Sequence, residues 1–266
     1  MVTVIKGEIT MKKLLIFVYG VVSYLIFFAC FLYLIGFLSN WLVPKSIDSG
    51  ETGPILPALL INLGLMALFG VQHSVMARPG FKRWWTRIVP KAAERSTYVL
   101  LSSLLLILLY WQWRPFPAVL WQVEHWLGQM IFWVFMGVGV SLILISSFLI
   151  NHFDLFGLQQ VYLNLRSAQP APIHFGTPWL YRLVRHPLHL GTTIALWATP
   201  IMTVGHLFFA IVMTIYIVIG IHYEERDLVR HFGDTYREYQ RKTPMLVPRP
   251  LRRVEGGRTE PATAGD

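Results

Sequence analysis

The segment from Leu14 to Leu38 contains no charged side chain. It is longer than the roughly 20 apolar residues a helix needs to cross a hydrocarbon layer about 30 Å thick. It is also too long for a signal-peptide core, and no small-residue cleavage site follows it, so it reads as a membrane-spanning helix. Further runs repeat the pattern. Leu56 to Ala77 is the second, with Gln72 and His73 near its end, and Tyr98 to Trp113 is a short third. Leu127 to Ile150 is the fourth. Leu188 to Thr203 and His206 to Tyr223 are separated only by Val204 and Gly205, so they read as a tight helical hairpin whose first arm Pro200 would kink or end. The expected fold is an all-α integral membrane protein with five to six transmembrane helices, a C-terminal helical hairpin and a cytoplasmic tail helix. No Gly-x-Gly-x-x-Gly turn follows a strand pattern, so no Rossmann domain is expected. The sequence contains no internal repeat of the transporter kind.

Charge supports this reading and orients it. Only 14% of residues are charged, against about 25% in an ordinary soluble domain. The balance is 23 Lys and Arg against 14 Asp and Glu. A nucleic-acid-binding face needs a denser basic patch, so no nucleic-acid partner is expected. The single cysteine, Cys30, excludes an internal disulfide and a cysteine metal cluster, and it reads as an inert packing residue. The loop after the second run holds Arg78, Lys82, Arg83, Arg87, Lys91 and Arg95 against Glu94 alone. The loop before it has only Lys45, and the loop after the third has only Arg114. Lys6, Lys12 and Lys13 precede the first run. By the positive-inside rule the basic loop and both termini face the cytoplasm. The tail after Tyr223 is close to neutral, so it is more than a basic anchor. Its last stretch, 255–266, lacks core-forming residues and is expected to be disordered.

Polar groups beside apolar layers are costly and tend to mark function. Asn151-His152-Phe153-Asp154-Leu155-Phe156-Gly157 follows the fourth run directly. It reads either as a capped helix end or, through His152 and Asp154 together, as part of a site. His73 reads either as an interhelical hydrogen bond or as a functional group. At similar depth, His73 and His152 also admit a haem or metal reading. Tyr181 to Gly191 is the densest polar cluster. Pro187 biases His186 away from helical geometry and can start a helix, which would place Arg185 and His186 at its mouth. Such a cationic pair at a helix N-terminus suits a carboxylate or phosphate. Gly191 permits close approach of a ligand or another helix. Glu224 and Glu225 close the last run, where cations are favoured. They are expected to hold ribose hydroxyls or to pair with Arg185. Tyr236 and Tyr239 lie on one helical face, placed to stack on a flat ring or pack back on the hairpin.

Arg185-His186-Pro187, Gly191, Glu224-Glu225, Leu228, Gly233, Tyr236, Tyr239 and Pro244 together resemble the C-terminal half of the isoprenylcysteine carboxyl methyltransferase-like superfamily, which includes phospholipid methyltransferases and NnrU-type membrane proteins. A closer resemblance, over nearly the whole chain, is to the methanethiol S-methyltransferase family. It is carried by Val43 to Asp48, Gln72 to Pro79, Glu94 to Tyr98, Asn151 to Gly157, and Thr199-Pro200 through His206. The resemblance implies a membrane enzyme that uses S-adenosyl-L-methionine, releases S-adenosyl-L-homocysteine, and converts a small volatile thiol into dimethyl sulfide. It implies one polytopic methyltransferase domain over 1–254, with 181–250 as the cofactor-binding part. Arg185 and His186 would hold the methionine carboxylate. Glu225, with Glu224 beside it, would bind the ribose or the amino group. Tyr236 and Tyr239 would close the pocket. Many relatives have Tyr after the His-Pro pair, whereas this chain has Leu188-His189-Leu190, so the aromatic contact would come from Tyr181 or Trp197. The implied partners are the thiol and the lipid bilayer, with no metal, and the implied location is a bacterial inner membrane with the cofactor site cytoplasmic.

Methyl transfer from a sulfonium to sulfur is an in-line displacement that needs a thiolate. His73, His152 and Asp154 are expected to meet at the cytoplasmic end of the second and fourth spans. A histidine would take the proton and Asp154 would orient it. The alternatives are a related membrane methyltransferase acting on a lipid or prenylcysteine, and a non-enzymatic NnrU-like or haem-binding membrane protein.

Overall fold

The computed structural model describes residues 10–170 and 175–248. Lys6, the 255–266 tail and the last two residues of the 181–250 segment lie outside the described residues. Helix α1 (Met11–Ser39) is the first span, and Asn40 ends it in the left-handed region, φ 57°, with its backbone N–H on the Gly36 carbonyl. Helix α2 (Ile55–Ala77) stops because Pro79 forces Arg78 into an extended conformation, ψ 140°, and then starts the short basic helix α3 (Pro79–Trp85). A single tight turn over Lys91–Ala93 leads into α4 (Glu94–Gln112). The third span is therefore longer than the apolar run suggested. It accommodates Ser96, Thr97, Ser102 and Ser103 by turning them toward neighbouring helices. Ser103 returns its hydroxyl to the Val99 carbonyl at 2.8 Å, and Thr97 accepts from Tyr19 on α1 at 2.9 Å.

Strand β1 (Val119–Gln122) precedes the fourth span, α5 (Trp126–Ile150). Short helices α6 (His152–Leu155) and α7 (Leu158–Leu165) follow, hinged at Gly157, whose φ of +89° only glycine adopts cheaply. A Cβ there would also lie 2.7 Å from the Ser96 backbone nitrogen. Helix α8 (Leu180–Leu183) leads to α9 (Pro187–Trp197), then β2 (Ile201–Thr203), α10 (Val204–Phe232) and α11 (Asp234–Lys242). Among the described residues five helices, counting Lys91–Gln112 as one, are long and apolar enough to span a membrane. Leu15, Val18, Val22 and Leu25 on α1, and Ile131, Val134 and Val138 on α5, turn outward. This is the expected face of a helix solvated by lipid.

The hairpin forms, with a first arm whose helix is shorter than its apolar run. Its first arm is helical for only eleven residues, about 16 Å, roughly half a hydrocarbon layer. The helix stops at Trp197, and the chain continues as an extended segment that pairs antiparallel with β1. Glycine makes this short arm pack. A Cβ on Gly191 would sit 2.6 Å from the Gly139 carbonyl oxygen, and one on Gly139 would sit 2.8 Å from the Gly191 oxygen. α9 and α5 therefore touch backbone to backbone, as small-residue helix crossings in membranes do.

The end of the bundle that carries the ribbon is closed by polar side chains bound to backbone. Asn62 clamps Arg114, donating to its carbonyl at 2.7 Å and accepting from its N–H at 2.8 Å. Trp113, fully buried, donates to the Ile47 carbonyl at 2.9 Å and stands edge-on to Phe209, ring centroids 5.5 Å apart. Thr203 donates to Asp48, and Val123 N–H donates to the Pro200 carbonyl at 2.9 Å. In lipid every buried backbone group needs such a partner, so these side chains make the loops compatible with the site.

Candidate active site

Helix α10 sets the depth of the site. From Val204 to Tyr223 it rises about 30 Å, one hydrocarbon thickness, and it then continues unbroken to Phe232. Glu224 and Glu225 therefore lie within a helix and not at its end. The basic residues favoured by the dipole, Arg230 and His231, occupy the true last turn. Gly233, φ +59°, then breaks the chain and lets α11 fold back. After α11 the chain runs beside the entry to α9. Arg185 N–H donates to the Pro244 carbonyl at 2.9 Å and His186 N–H to the Met245 carbonyl at 3.2 Å.

These elements meet in an ionic cluster. Arg185 Nε donates to Glu225 Oε1 at 2.6 Å, and its Nη1 donates to the carbonyls of Gln240 and Thr243. His186 Nε2 lies 3.0 Å from the same Oε1, and Gln240 Nε2 donates to Glu225 Oε2 at 2.8 Å. The Arg185 and Glu225 side chains are 11% and 14% exposed. A carboxylate this enclosed and this well matched stays ionised. Glu224 differs. It is 49% exposed, and its Oε2 stands 3.7 Å from His186 Nδ1. Glu225 thus pairs with Arg185, one of the two tasks anticipated for the acids, while Glu224 keeps accepting capacity. A cavity of about 360 Å³ opens beside the cluster, lined by His222, Glu225, Arg226, Val229, Arg230 and Gln240.

The tyrosines pack back on the fold. Tyr236 is 2% exposed and meets Phe175 edge-on at 6.0 Å, so it is not free to stack on a ligand ring. Tyr239 donates its hydroxyl to the Tyr181 carbonyl, and burial pushes its phenol up to about 12. Tyr181 reaches the Ser146 carbonyl at 3.4 Å, and burial raises its phenol as well. Trp197 donates to Thr214 across α9 and α10 at 3.0 Å. Gly191 serves the contact with Gly139, the helix-approach branch of its reading.

The expected His73, His152 and Asp154 group does not assemble as one hydrogen-bonded unit. Ser102 donates to Gln72 Oε1 at 3.1 Å, so its oxygen accepts from His73 Nδ1 at 3.2 Å, and His73 Nε2 then accepts from Tyr98 at 2.8 Å. His152 repeats the arrangement on other helices. Ser147 donates to the Leu144 carbonyl at 2.7 Å and accepts from His152 Nδ1 at 2.8 Å, and Tyr24 caps Nε2 at 2.8 Å. Both imidazoles are neutral Nδ1–H tautomers with both nitrogens engaged. Burial lowers the His152 pKa further. Asp154 accepts from Gln160 at 3.0 Å instead of from a histidine, and Asn151 caps α6 through the Asp154 N–H at 3.2 Å.

The structure adds a residue that sequence reading passed over. His189 stands one turn into α9, and one ligand-capable atom each of His186, His189 and Glu224 lies within 4.8 Å of the other two. The signal was the three-residue spacing of His186 and His189 just where Pro187 starts a helix, which puts both on one face.

A bundle of apolar helices long enough to span, five among the described residues, with an ionic cluster near the end of α10, defines an integral membrane protein. A family model described as NnrU protein matches residues 61–246, and the chain belongs to that family. It is 52% identical over 242 residues to the methanethiol S-methyltransferase of Mycobacterium tuberculosis, covering 91% of this chain and 99% of that protein. It is 50% identical over 264 residues to methanethiol S-methyltransferase 2 of Bradyrhizobium diazoefficiens, covering 95% and 98%. With the methanethiol S-methyltransferase of Crocosphaera subtropica it shares 49% over 238 residues, covering 90% and 93%. No solved structure matches the chain.

Proposed function

We propose that this protein is an S-adenosylmethionine-dependent thiol methyltransferase that converts methanethiol to dimethyl sulfide. The observation that carries the reading is half-identity along nearly the full length of relatives bearing that name. A lipid or prenylcysteine substrate has no such support. A haem reading is opposed by the engaged nitrogens of His73 and His152.

The donor set fits the methyl donor. That molecule presents an ammonium, a carboxylate, a ribose diol and a flat base, and it supplies a methyl group on a cationic sulfur. Glu224 and Glu225 offer acceptors, while Arg226 and Arg230 line the adjacent cavity with cations. Glu224, half exposed, is our choice for the amino group or the ribose through one carboxylate oxygen, its Oε2 standing toward His186. Arg185 and Glu225 hold each other and fix the entry to α9. His186 faces the same space, and Tyr181, Tyr236 and Tyr239 build the wall behind it. His73 and His152 tie helices together, and Asp154 braces α6 and α7. The thiol sulfur bonds to the methyl carbon as the sulfonium C–S bond breaks, its electron pair stays on the donor sulfur, and the thiol proton is released. The enzyme's task is to hold sulfur and methyl in line within about 3.5 Å.

We place the cofactor face in the cytoplasm of a bacterial inner membrane. The basic α3 loop and Glu224 lie at the same end of the bundle, since Arg78 pairs with Asp227 at 3.1 Å, and basic loops stay inside. The test is expression in a host that makes no dimethyl sulfide, with methanethiol supplied and the headspace gas analysed. Dimethyl sulfide is expected. Its absence from membranes containing the folded protein overturns the substrate assignment.

A further inference from the structure

We propose that His186, His189 and Glu224 form a binding site for a divalent metal ion of the zinc type, and that the substrate thiol completes its coordination. The second half rests on the methanethiol reading above; the first does not.

Three observations carry the site. The ligand-capable atoms of the three residues lie within 4.8 Å of one another, and His186 Nδ1 to Glu224 Oε2 is 3.7 Å. Tetrahedral zinc with N and O ligands at about 2.0 to 2.2 Å separates its donors by roughly 3.4 Å, so a small side-chain adjustment closes the set. Two histidines and one glutamate with an open fourth position is a recognised catalytic zinc arrangement.

The tautomer is also right. Glu225 Oε1 takes the Nε2–H of His186 at 3.0 Å, which leaves the Nδ1 lone pair facing Glu224. Metal-bound histidines almost always donate their other N–H to such a carboxylate. Arg185 and Gln240 hold that carboxylate in turn.

The location suits the chemistry. His186 is 4% exposed, whereas Glu224 is half exposed, so the cluster faces the bundle on one side and solvent on the other. No imidazole nitrogen of His73 or His152 is free to take a thiol proton. A metal removes the need for a separate base, because a coordinating thiol is deprotonated outright, its proton passing to bulk water. Zinc is borderline soft and accepts sulfur readily.

The test uses the full chain purified in detergent with zinc supplied and excess removed by gel filtration. Metal per chain is measured by mass spectrometry for wild type, His189→Ala, Glu224→Gln and, as a surface-histidine control, His231→Ala. Wild type and the control are expected to hold about one zinc, with at least a tenfold weaker affinity in the two site variants. In wild type loaded with cobalt, a tetrahedral visible spectrum should appear, and adding methanethiol should add a thiolate-to-cobalt charge-transfer band. This readout does not depend on whether a variant folds. Metal-free protein that still makes dimethyl sulfide overturns the proposal and leaves the methyltransferase reading intact. Zinc retained unchanged by both site variants also overturns it. Stoichiometric zinc lost in those variants, without dimethyl sulfide formation, upholds the site and strikes only the methanethiol reading.

Discussion

The imidazole of His186 meets Glu225 Oε1 through Nε2 at 3.0 Å, on the same oxygen that Arg185 Nε reaches at 2.6 Å. One carboxylate oxygen thus fixes two consecutive residues at the mouth of α9. Glu225→Gln keeps the shape but removes the charge that Arg185 needs. Removing one partner of an enclosed pair costs about 3 kcal/mol or more. The variant is expected to unfold at a lower temperature in detergent and to lose most turnover. Glu225→Gln with unchanged stability would show the pair to be unimportant to the fold.

Gly191→Ala places a methyl carbon 2.6 Å from the Gly139 carbonyl, where nothing flexible can yield. Overpacking of this kind costs about 1 to 3 kcal/mol. Because His189 sits on the same short helix and His186 stands just before its first residue, turnover should fall along with stability. Gly137→Ala, with open space around its Cβ position, is the matched control and should behave as wild type. Thermal unfolding and headspace assays on the three proteins check both expectations.

Tyr98→Phe and Tyr24→Phe each uncap one imidazole. Interhelical hydrogen bonds in membranes average about 0.6 kcal/mol, so each variant should lose only a modest amount of stability. If His73 and His152 are helix ties, turnover in both variants stays within a few fold of wild type. A loss of a hundredfold or more in Tyr98→Phe would return His73 to the chemistry.

Burial lowers the pKa of His152, outside the spans on α6, below its ordinary 6.5. The folded state therefore resists protonation more than the unfolded chain does. Its contribution to stability is fully present above pH 6.5 and is lost as pH falls from there through the depressed folded value. The unfolding temperature in detergent should drop between pH 7 and pH 5. His152→Asn should flatten that part of the profile.

Much of this fold is legible in the sequence because lipid is an unforgiving solvent. Uncharged runs such as Leu14 to Leu38 can only be spans. The third span hid its first turn because Glu94, Arg95, Ser96 and Thr97 look like loop residues until the structure shows them helical. Pro200 signalled that the first arm of the hairpin would kink or end, but the extended segment after α9 was not legible, because apolarity alone does not separate helix from a buried extended segment and its strand partner β1 lies some eighty residues away. Arg185, His186, Glu224 and Glu225 were legible as costly charges beside an apolar layer. The arrangement of His73, His152 and Asp154 was not, because depth along the bundle says nothing about which helices are neighbours. His189 registered only as a departure, standing where an aromatic residue was awaited, and so was given no role.

The ribbon end of the bundle is sealed by Asn62, Trp113, Asp48 and Thr203, while α10 overshoots the layer at the other end. The two ends of the bundle are therefore unlike: one is tied to itself by side chains bound to backbone, and the other carries the ionic groups. On the methyltransferase reading, a charged donor meets charged partners at the second end, while a small apolar product is soluble in the lipid around the helices.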